Sequence, residues 1–214
     1  MEMTTLHGKF ISFEGSEGSG KSTHIERLER QLQEAGARTF VTREPGGSDI
    51  GEEIRHLLLH HQQNGAMCAE AELLLFAAAR AQLVRERIAP ALKDGQVVIT
   101  DRFLDSTTVY QGAARRLDPE AVERINRFAV GATRPDLTLL LDVPVEVSLA
   151  RVRKRSGDRP DRIEREDADF FCRVREGYLA LAAAEPRRIA VFDSTRPADE
   201  VAAAIWRTVH ERLA

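Results

Sequence analysis

The run Gly15-Ser16-Glu17-Gly18-Ser19-Gly20-Lys21-Ser22 has the spacing G-x-x-x-x-G-K-[ST] of a phosphate-binding loop. Glycines at these positions let backbone N–H groups turn inward around a phosphate, and the N-terminus of the helical stretch His24 to Leu32 that follows adds partial positive charge. Lys21 can then reach the β- and γ-phosphates, while the Ser22 hydroxyl ligates Mg²⁺. The motif implies a bound nucleoside triphosphate. Glu17 is the discordant member, because a carboxylate inside such a loop is repelled by the ligand. It can face the hydroxyl of a second substrate, pair with an arginine of the basic stretch 151–165, or point into solvent, and the loop sequence leaves all three open.

Other charged residues gather behind short apolar runs. Thr42-Arg43-Glu44-Pro45-Gly46-Gly47-Ser48 follows one, and Asp101-Arg102 follows another and continues into Ser106-Thr107-Thr108-Val109-Tyr110-Gln111. Asp142 ends a third. An arginine suits an acceptor phosphate, since its fork donates two hydrogen bonds to paired oxygens and stays charged. Asp101 can orient the Arg102 guanidinium or hold an Mg²⁺-bound water. A surface ion pair is the plain alternative, and the phosphate-binding loop on the same sheet edge tips the balance towards function. Arg80 lies in the apolar stripe of Leu73, Phe76, Leu83 and Val84, four residues from both Phe76 and Val84. There it must snorkel outwards or meet an anion. It can hold a phosphate or base carbonyl while Phe76 stacks on a ring, or pair with a neighbouring carboxylate inside the core.

Residues 151–165 are the most basic stretch, with Arg151, Arg153, Lys154, Arg155, Arg159, Arg162 and Arg165 against Asp158, Asp161 and Glu164. Ser156-Gly157 and Pro160 interrupt its helical pattern. A basic flap of this kind can close over a transferring phosphoryl group and neutralise its oxygens. Interleaved acids and missing aromatics argue against nucleic-acid binding.

The elements that must position these groups alternate. Apolar runs at 10–13, 39–42, 96–100, 137–142 and 188–192 read as strands, and helical patterns fill 49–60, 70–92, 118–130, 145–155, 166–184 and 198–213. A further helix after the loop closes at Gly36. The near-continuous Leu137-Thr138-Leu139-Leu140-Leu141 suits a strand covered on both faces. Alternation of this kind predicts a three-layer α/β fold, a five-stranded parallel sheet flanked by helices, with ligands at the carboxyl ends of the strands. At 214 residues the chain suits one domain, 1–214, with a lid at about 151–165. A net charge of −3 gives no general attraction for polyanions. Cys68 and Cys172 lack metal or redox spacing and read as reduced packing residues. No apolar window is long enough for a membrane span, and Met1 to Lys9 lacks the apolar core of a signal peptide, so a cytoplasmic location is expected. Neither N-K-x-D nor D-x-x-G occurs, against a regulatory GTPase.

Taken together, the segments resemble the thymidylate kinases, P-loop NTPase-type enzymes that phosphorylate dTMP to dTDP with ATP. The resemblance rests on Phe13-Glu14-Gly15 leading into the loop, Thr42-Arg43-Glu44-Pro45-Gly46-Gly47, and Asp101-Arg102 followed by Tyr110-Gln111-Gly112. It extends through Arg134-Pro135-Asp136-Leu137-Thr138, Leu141-Asp142-Val143 and Asp161-Arg162-Ile163-Glu164. It is to the bacterial type, whose basic groups come from the lid. The resemblance implies an ATP site of Gly15, Ser16, Glu17, Gly18, Ser19, Gly20, Lys21, Ser22 and Thr23, with Mg²⁺ near Ser22 and Asp101. It implies that Phe76 stacks on thymine, that Arg80 contacts the base or its phosphate, and that Arg102, with Arg43, holds the acceptor phosphate. Thr107 and Gln111 would line the base pocket, Ser106 and Tyr110 would border the substrate, and Glu17 would face the deoxyribose 3′-hydroxyl. Lys21, Arg102 and the lid residues Arg153, Arg155 and Arg159 would act in catalysis. A homodimer, with helix 69–92 as the shared surface, is the implied assembly.

Overall fold

The structure, a computed structural model, describes residues 6–61, 64–156 and 161–213. Five parallel strands form one sheet in the order β2-β3-β1-β4-β5: β1 Phe10–Glu14, β2 Thr39–Arg43, β3 Val97–Asp101, β4 Leu137–Asp142 and β5 Ile189–Asp193. Each strand lies within a residue of its expected bounds. The chain leaves β1 towards β2 on one side and later crosses to β4 on the other, so its winding reverses at β1, where the first loop sits.

Alternation along the strands sends side chains to two cores. Ile11, Phe13, Val97, Ile99, Leu137, Leu139 and Leu141 pack with Leu28 and Leu32 of α1 (Lys21–Glu34) and Ile205 and Val209 of α9 (Ala198–Leu213). On the opposite face, Phe10 and Val98 pack beneath Leu83, Val84 and Ile88, while Leu140 joins Phe170, Phe171 and Val174 of α8 (Ala168–Ala184). Helices therefore cover both faces of the sheet, which is why β1, β3 and β4 are apolar almost throughout.

The helices between β2 and β4 shape the site. α2 spans Asp49–Leu59, and its N-cap Ser48 accepts a hydrogen bond from the Gly51 N–H. The expected helix 70–92 is α3 (Ala69–Leu83), a π-helical turn (Val84–Ile88) and α4 (Ala89–Lys93), with the widened turn just ahead of Pro90. The stretch after β3, read as a strand-end segment, is instead helical: α5 (Leu104–Thr107) runs into a π-helical segment, Thr108–Ala114. It is followed by α6 (Pro119–Val130). Its β-branched residues carry weak helix propensity, and burial against α6 and α8 overrides it. Cys68 and Cys172 are both exposed, which corrects their expected packing role: Cys172 lies on the outer face of α8, turned away from Phe171 and Val174.

Candidate active site

The phosphate-binding loop joins β1 to α1 and is shaped by close approach. Gly15 has φ 138°, and a Cβ there would lie 2.4 Å from the Leu141 carbonyl oxygen. Gly20, at φ 92°, is the N-cap of α1 and offers no side-chain cap, and the first turn of α1 carries no acidic residue. The helix N-terminus is thus left for an anion. Lys21 Nζ turns onto the loop's own carbonyls, donating to Gly15 O at 3.2 Å and Ser16 O at 3.0 Å, and the buried Ser19 Oγ has no partner. Ser22 and Thr23 are exposed at the mouth of the loop.

The loop opens into a cavity of about 440 Å³, large enough for a nucleotide-sized ligand. The ends of β2 and β3 supply Arg43, Glu44, Asp101 and Arg102 to its wall, and α3 supplies Phe76. Ser106, Thr107, Tyr110 and Gln111 come from the helical turn after β3, at spacings that place all four on one helix face. Sequences nearly a hundred residues apart thus converge on one space.

Arg102 is held under strain. Its φ of 70° lies in the left-handed region, which costs a bulky residue about 1–3 kcal/mol. Its guanidinium is gripped on all sides: it donates to Glu17 Oε1 at 2.7 Å and to Ser106 Oγ and Tyr178 Oη at 3.1 Å, and sits 5.0 Å from the Tyr110 ring centre. Tyr110 Oη donates to both Glu17 oxygens, at 2.9 and 2.8 Å. Glu17 therefore pairs with a strand-end arginine instead of a flap arginine or solvent. Beneath Arg102, the buried Glu14 carboxylate accepts from the Phe103 N–H at 2.7 Å, Ser106 Oγ at 2.6 Å and Tyr178 Oη at 2.9 Å. Burial, then the nearby Asp105, pushes its carboxyl above the usual range.

Arg80 takes the second of its two sequence-derived fates. It is 1% exposed and absent from the cavity wall. Its Nε donates to Glu44 Oε2 at 2.7 Å, and one terminal nitrogen donates to Thr107 Oγ1 at 2.9 Å and Asn126 Oδ1 at 3.0 Å. The other meets Phe103 O at 3.1 Å and Glu44 Oε2 at 2.5 Å. Four hydrogen bonds and the ion pair with Glu44 commit the Arg80 guanidinium to these internal acceptors, and in this geometry it faces no base or phosphate. Burial pushes the Glu44 carboxyl up to about 7 against the opposing pull of Arg80. Arg43 is also engaged, one terminal nitrogen of its exposed guanidinium donating to both oxygens of Glu52 at 3.0 Å.

Among the lid residues, Arg153 is exposed on α7 (Val145–Ser156) and does not line the cavity. The Arg155 side chain and Arg159 lie outside the described residues. Arg151 reaches the site instead, donating to Gly18 O at 3.1 Å and Ser194 O at 3.2 Å. Asp142, suggestive at its strand end, is bound by Arg175 through two contacts of 2.8 Å, away from the cavity. Sequence reading missed Arg55. It projects from α2 into the cavity, half-buried, with one terminal nitrogen on Pro45 O at 2.9 Å. Burial, then the Arg43 charge, depresses the Arg55 guanidinium, and an anion bound beside it relieves both effects. Its sequence context, Glu52-Glu53-Ile54-Arg55, looks like any solvated helix face.

The oxygen set fits Mg²⁺. Ser22 and Asp101 both border the cavity and offer it a hydroxyl and a carboxylate oxygen. Few protein oxygens, supplemented by phosphates and water, are what Mg²⁺ takes at a nucleotide site.

Burial, then the Arg102 charge, lowers Lys21 to about 8. Only protonated Lys21 carries the charge that a triphosphate requires. The kcat/KM for ATP is thus expected to fall as pH rises through about 8, whereas kcat holds to higher pH because bound phosphates raise the lysine again. A pH series from about 6.5 to about 9.5 reads both, and a flat kcat/KM profile removes the argument.

The sequence profile described as Thymidylate kinase matches residues 13–205. A thymidylate kinase of Geobacter sulfurreducens is 53% identical over 210 residues, covering 96% of this chain and 98% of its own. One of Methylococcus capsulatus is 49% identical over 207 residues, covering 97% of each. A crystal structure of thymidylate kinase from Ehrlichia chaffeensis superposes with a TM-score of 0.77 at 30% identity, over 94% of this chain and 98% of that one. With fold, loop and strand-end residues in agreement, the chain belongs to the thymidylate kinase family.

Proposed function

We propose that this cavity is where the family's reaction takes place, the transfer of the ATP γ-phosphoryl group to dTMP to give dTDP. The observation that carries the reading is the opening of the phosphate-binding loop and the Arg102–Phe76 wall into one cavity. ATP lies along the loop from Gly15 to Thr23, with Lys21 on the β- and γ-phosphates. Ser22 and Asp101 hold Mg²⁺, which supplies charge neutralisation on the donor phosphates. Thymine stacks on Phe76, next to Thr107, Ser106 and Gln111.

The acceptor phosphate takes Arg102, with Arg55 beside it and Arg43 at the rim. Its arrival displaces Glu17 from the guanidinium, since two anions compete for one fork, and frees the carboxylate to accept the deoxyribose 3′-hydroxyl. Tyr110 stays as the hinge of that exchange. Arg151, Arg153, Arg155 and Arg159 bring the remaining positive charge as the basic segment closes. Little covalent work falls to the protein, so positioning and charge neutralisation account for the rate.

The assembly we propose is a homodimer in the cytoplasm. Leu57, Leu74 and Phe128 are exposed on α2, α3 and α6, which pack side by side, and Phe128 is 84% exposed. An apolar surface of that kind suits a two-fold contact. Sedimentation at micromolar concentration tests it, and a monomer overturns it. The two exposed, unbridged cysteines and the lack, among the described residues, of a helix able to cross a membrane suit a reducing interior.

ADP release from Mg-ATP with dTMP, dUMP, dCMP, dGMP and dAMP as separate acceptors tests the reaction. Strong stimulation by dTMP with weaker stimulation by dUMP is expected, because one methyl group is worth only about 1–3 kcal/mol in a pocket. ATP hydrolysis indifferent to every monophosphate would sink the reading.

A further inference from the structure

One carboxylate has no place in the chemistry above. Glu72 lies on α3 one turn before Phe76, on the same helix face, and is 1% exposed. It does not line the cavity, yet it grips a residue that does: Gln111 Nε2 donates to Glu72 Oε1 at 2.6 Å. Two arginines close the other sides. Arg115 donates to both oxygens at 3.3 Å, and Arg162 donates to Oε2 while its Nε holds Leu58 O at 2.9 Å. Arg115 is itself tied to Glu166 Oε1 at 2.6 Å.

This arrangement removes an ambiguity that a glutamine otherwise carries. A carboxamide has a donor end and an acceptor end, and a free one turns either way to suit its ligand. An ionised carboxylate only accepts, so a glutamine against it must present its NH₂ group. Burial pushes the Glu72 carboxyl up, but the Gln111 bond and the Arg115 and Arg162 charges outweigh it and hold the group below the ordinary range. Glu72 stays ionised, and the amide stays turned.

We propose that Glu72 is a positioning residue for base selection: it locks Gln111 with the acceptor oxygen towards the cavity, so that the site takes a pyrimidine with an N3–H and rejects one without it. This inference rests on the reading of the cavity as the dTMP site. Thymine and uracil carry a proton on N3, flanked by two carbonyls. Cytosine presents a bare N3 acceptor there. Against a locked Gln111 Oε1, on a side chain 1% exposed, cytosine sets acceptor against acceptor, and a buried polar group left unpaired costs more than a good pair gains. Without Glu72, the amide turns over and offers NH₂ to cytosine N3. The lock also reaches the basic segment, because Arg162 anchors its carboxyl-terminal leg to the same carboxylate and Arg115 links Glu166 to it.

Glu72→Gln tests this, since the substituted carboxamide keeps the shape but can donate to or accept from Gln111. The ratio of kcat/KM for dTMP to that for dCMP is expected to fall about 10- to 100-fold. The dTMP to dUMP ratio stays within about twofold, because both bases share the N3–H. General loosening of the site would alter dTMP and dUMP turnover without moving the first ratio selectively. In a Gln111→Met background, Glu72→Gln should change the dTMP to dCMP ratio no further, because Glu72 acts through Gln111. An unchanged ratio in the single variant, or a full second effect in the double, overturns the proposal. If Glu72→Gln fails to fold, the wild-type protein gives the answer by NMR: the Gln111 side-chain amide, assigned with Gln111→Met, should be two protected, slowly exchanging resonances. A freely exchanging amide overturns the lock. If wild-type enzyme does not phosphorylate dTMP, the reading of the cavity fails instead.

Discussion

Replacing Lys21 by alanine is expected to lower kcat about 10²- to 10³-fold, while the folded structure persists. Removing one preorganised hydrogen-bond donor from a site where charge moves in the transition state costs about 2.7–4 kcal/mol. Lys21 is buried and its ammonium rests on two loop carbonyls, Gly15 O and Ser16 O. Those contacts are easily exchanged for phosphate oxygens, and their loss leaves no buried charge behind. The melting temperature should therefore shift little, and KM for dTMP should change less than kcat. Steady-state kinetics with saturating Mg-ATP, beside a thermal melt, separates the two effects. Turnover within about threefold of the wild type would end the role assigned to the lysine.

The second large effect concerns stability. Arg80→Met is expected to lower the free energy of unfolding by about 3–5 kcal/mol, because it leaves the buried Glu44 without its partner and forces it to take a proton. Thr107 Oγ1, Asn126 Oδ1 and Phe103 O would lose a donor with it. Adding Glu44→Gln to Arg80→Met removes the stranded carboxyl and should recover part of the loss. Urea unfolding of the single and double variants reads this directly. An Arg80→Met midpoint equal to that of the wild type would show that the arginine is not the internal tie described here. Activity loss in Arg80→Met is expected to accompany the destabilisation, because Thr107 and Phe103 shape the helix that carries Ser106 and Gln111.

Much of this protein was legible in the residue order. The loop Gly15 to Ser22 needs no tertiary context, since its glycine spacing and lysine already state the ligand. The strands were equally plain, because a sheet buried on both faces requires near-continuous apolar runs such as Leu137 to Leu141. From alternating strands and helices the parallel order follows, and with it the edge on which Arg43, Asp101 and Arg102 stand.

Only the tertiary structure decided what each charged side chain meets. Arg80 had two fates on its helix alone, and the choice was made by Glu44, 36 residues away in sequence, and Asn126, 46 away. Glu17 had three and rests in none of them, because Arg102 and Tyr110, 85 and 93 residues off, hold it. The helix from Leu104 to Ala114 defied its β-branched composition because α6 and α8 bury it. Arg55 carried no local signal at all, since a half-buried arginine and a solvated one read alike in Glu52-Glu53-Ile54-Arg55. Local pattern fixes backbone form and apolar face because propensity and burial act over a few residues. The partner of a buried charge is set by whichever distant segment the fold brings within about 3 Å, and that contact exists only once the sheet has closed.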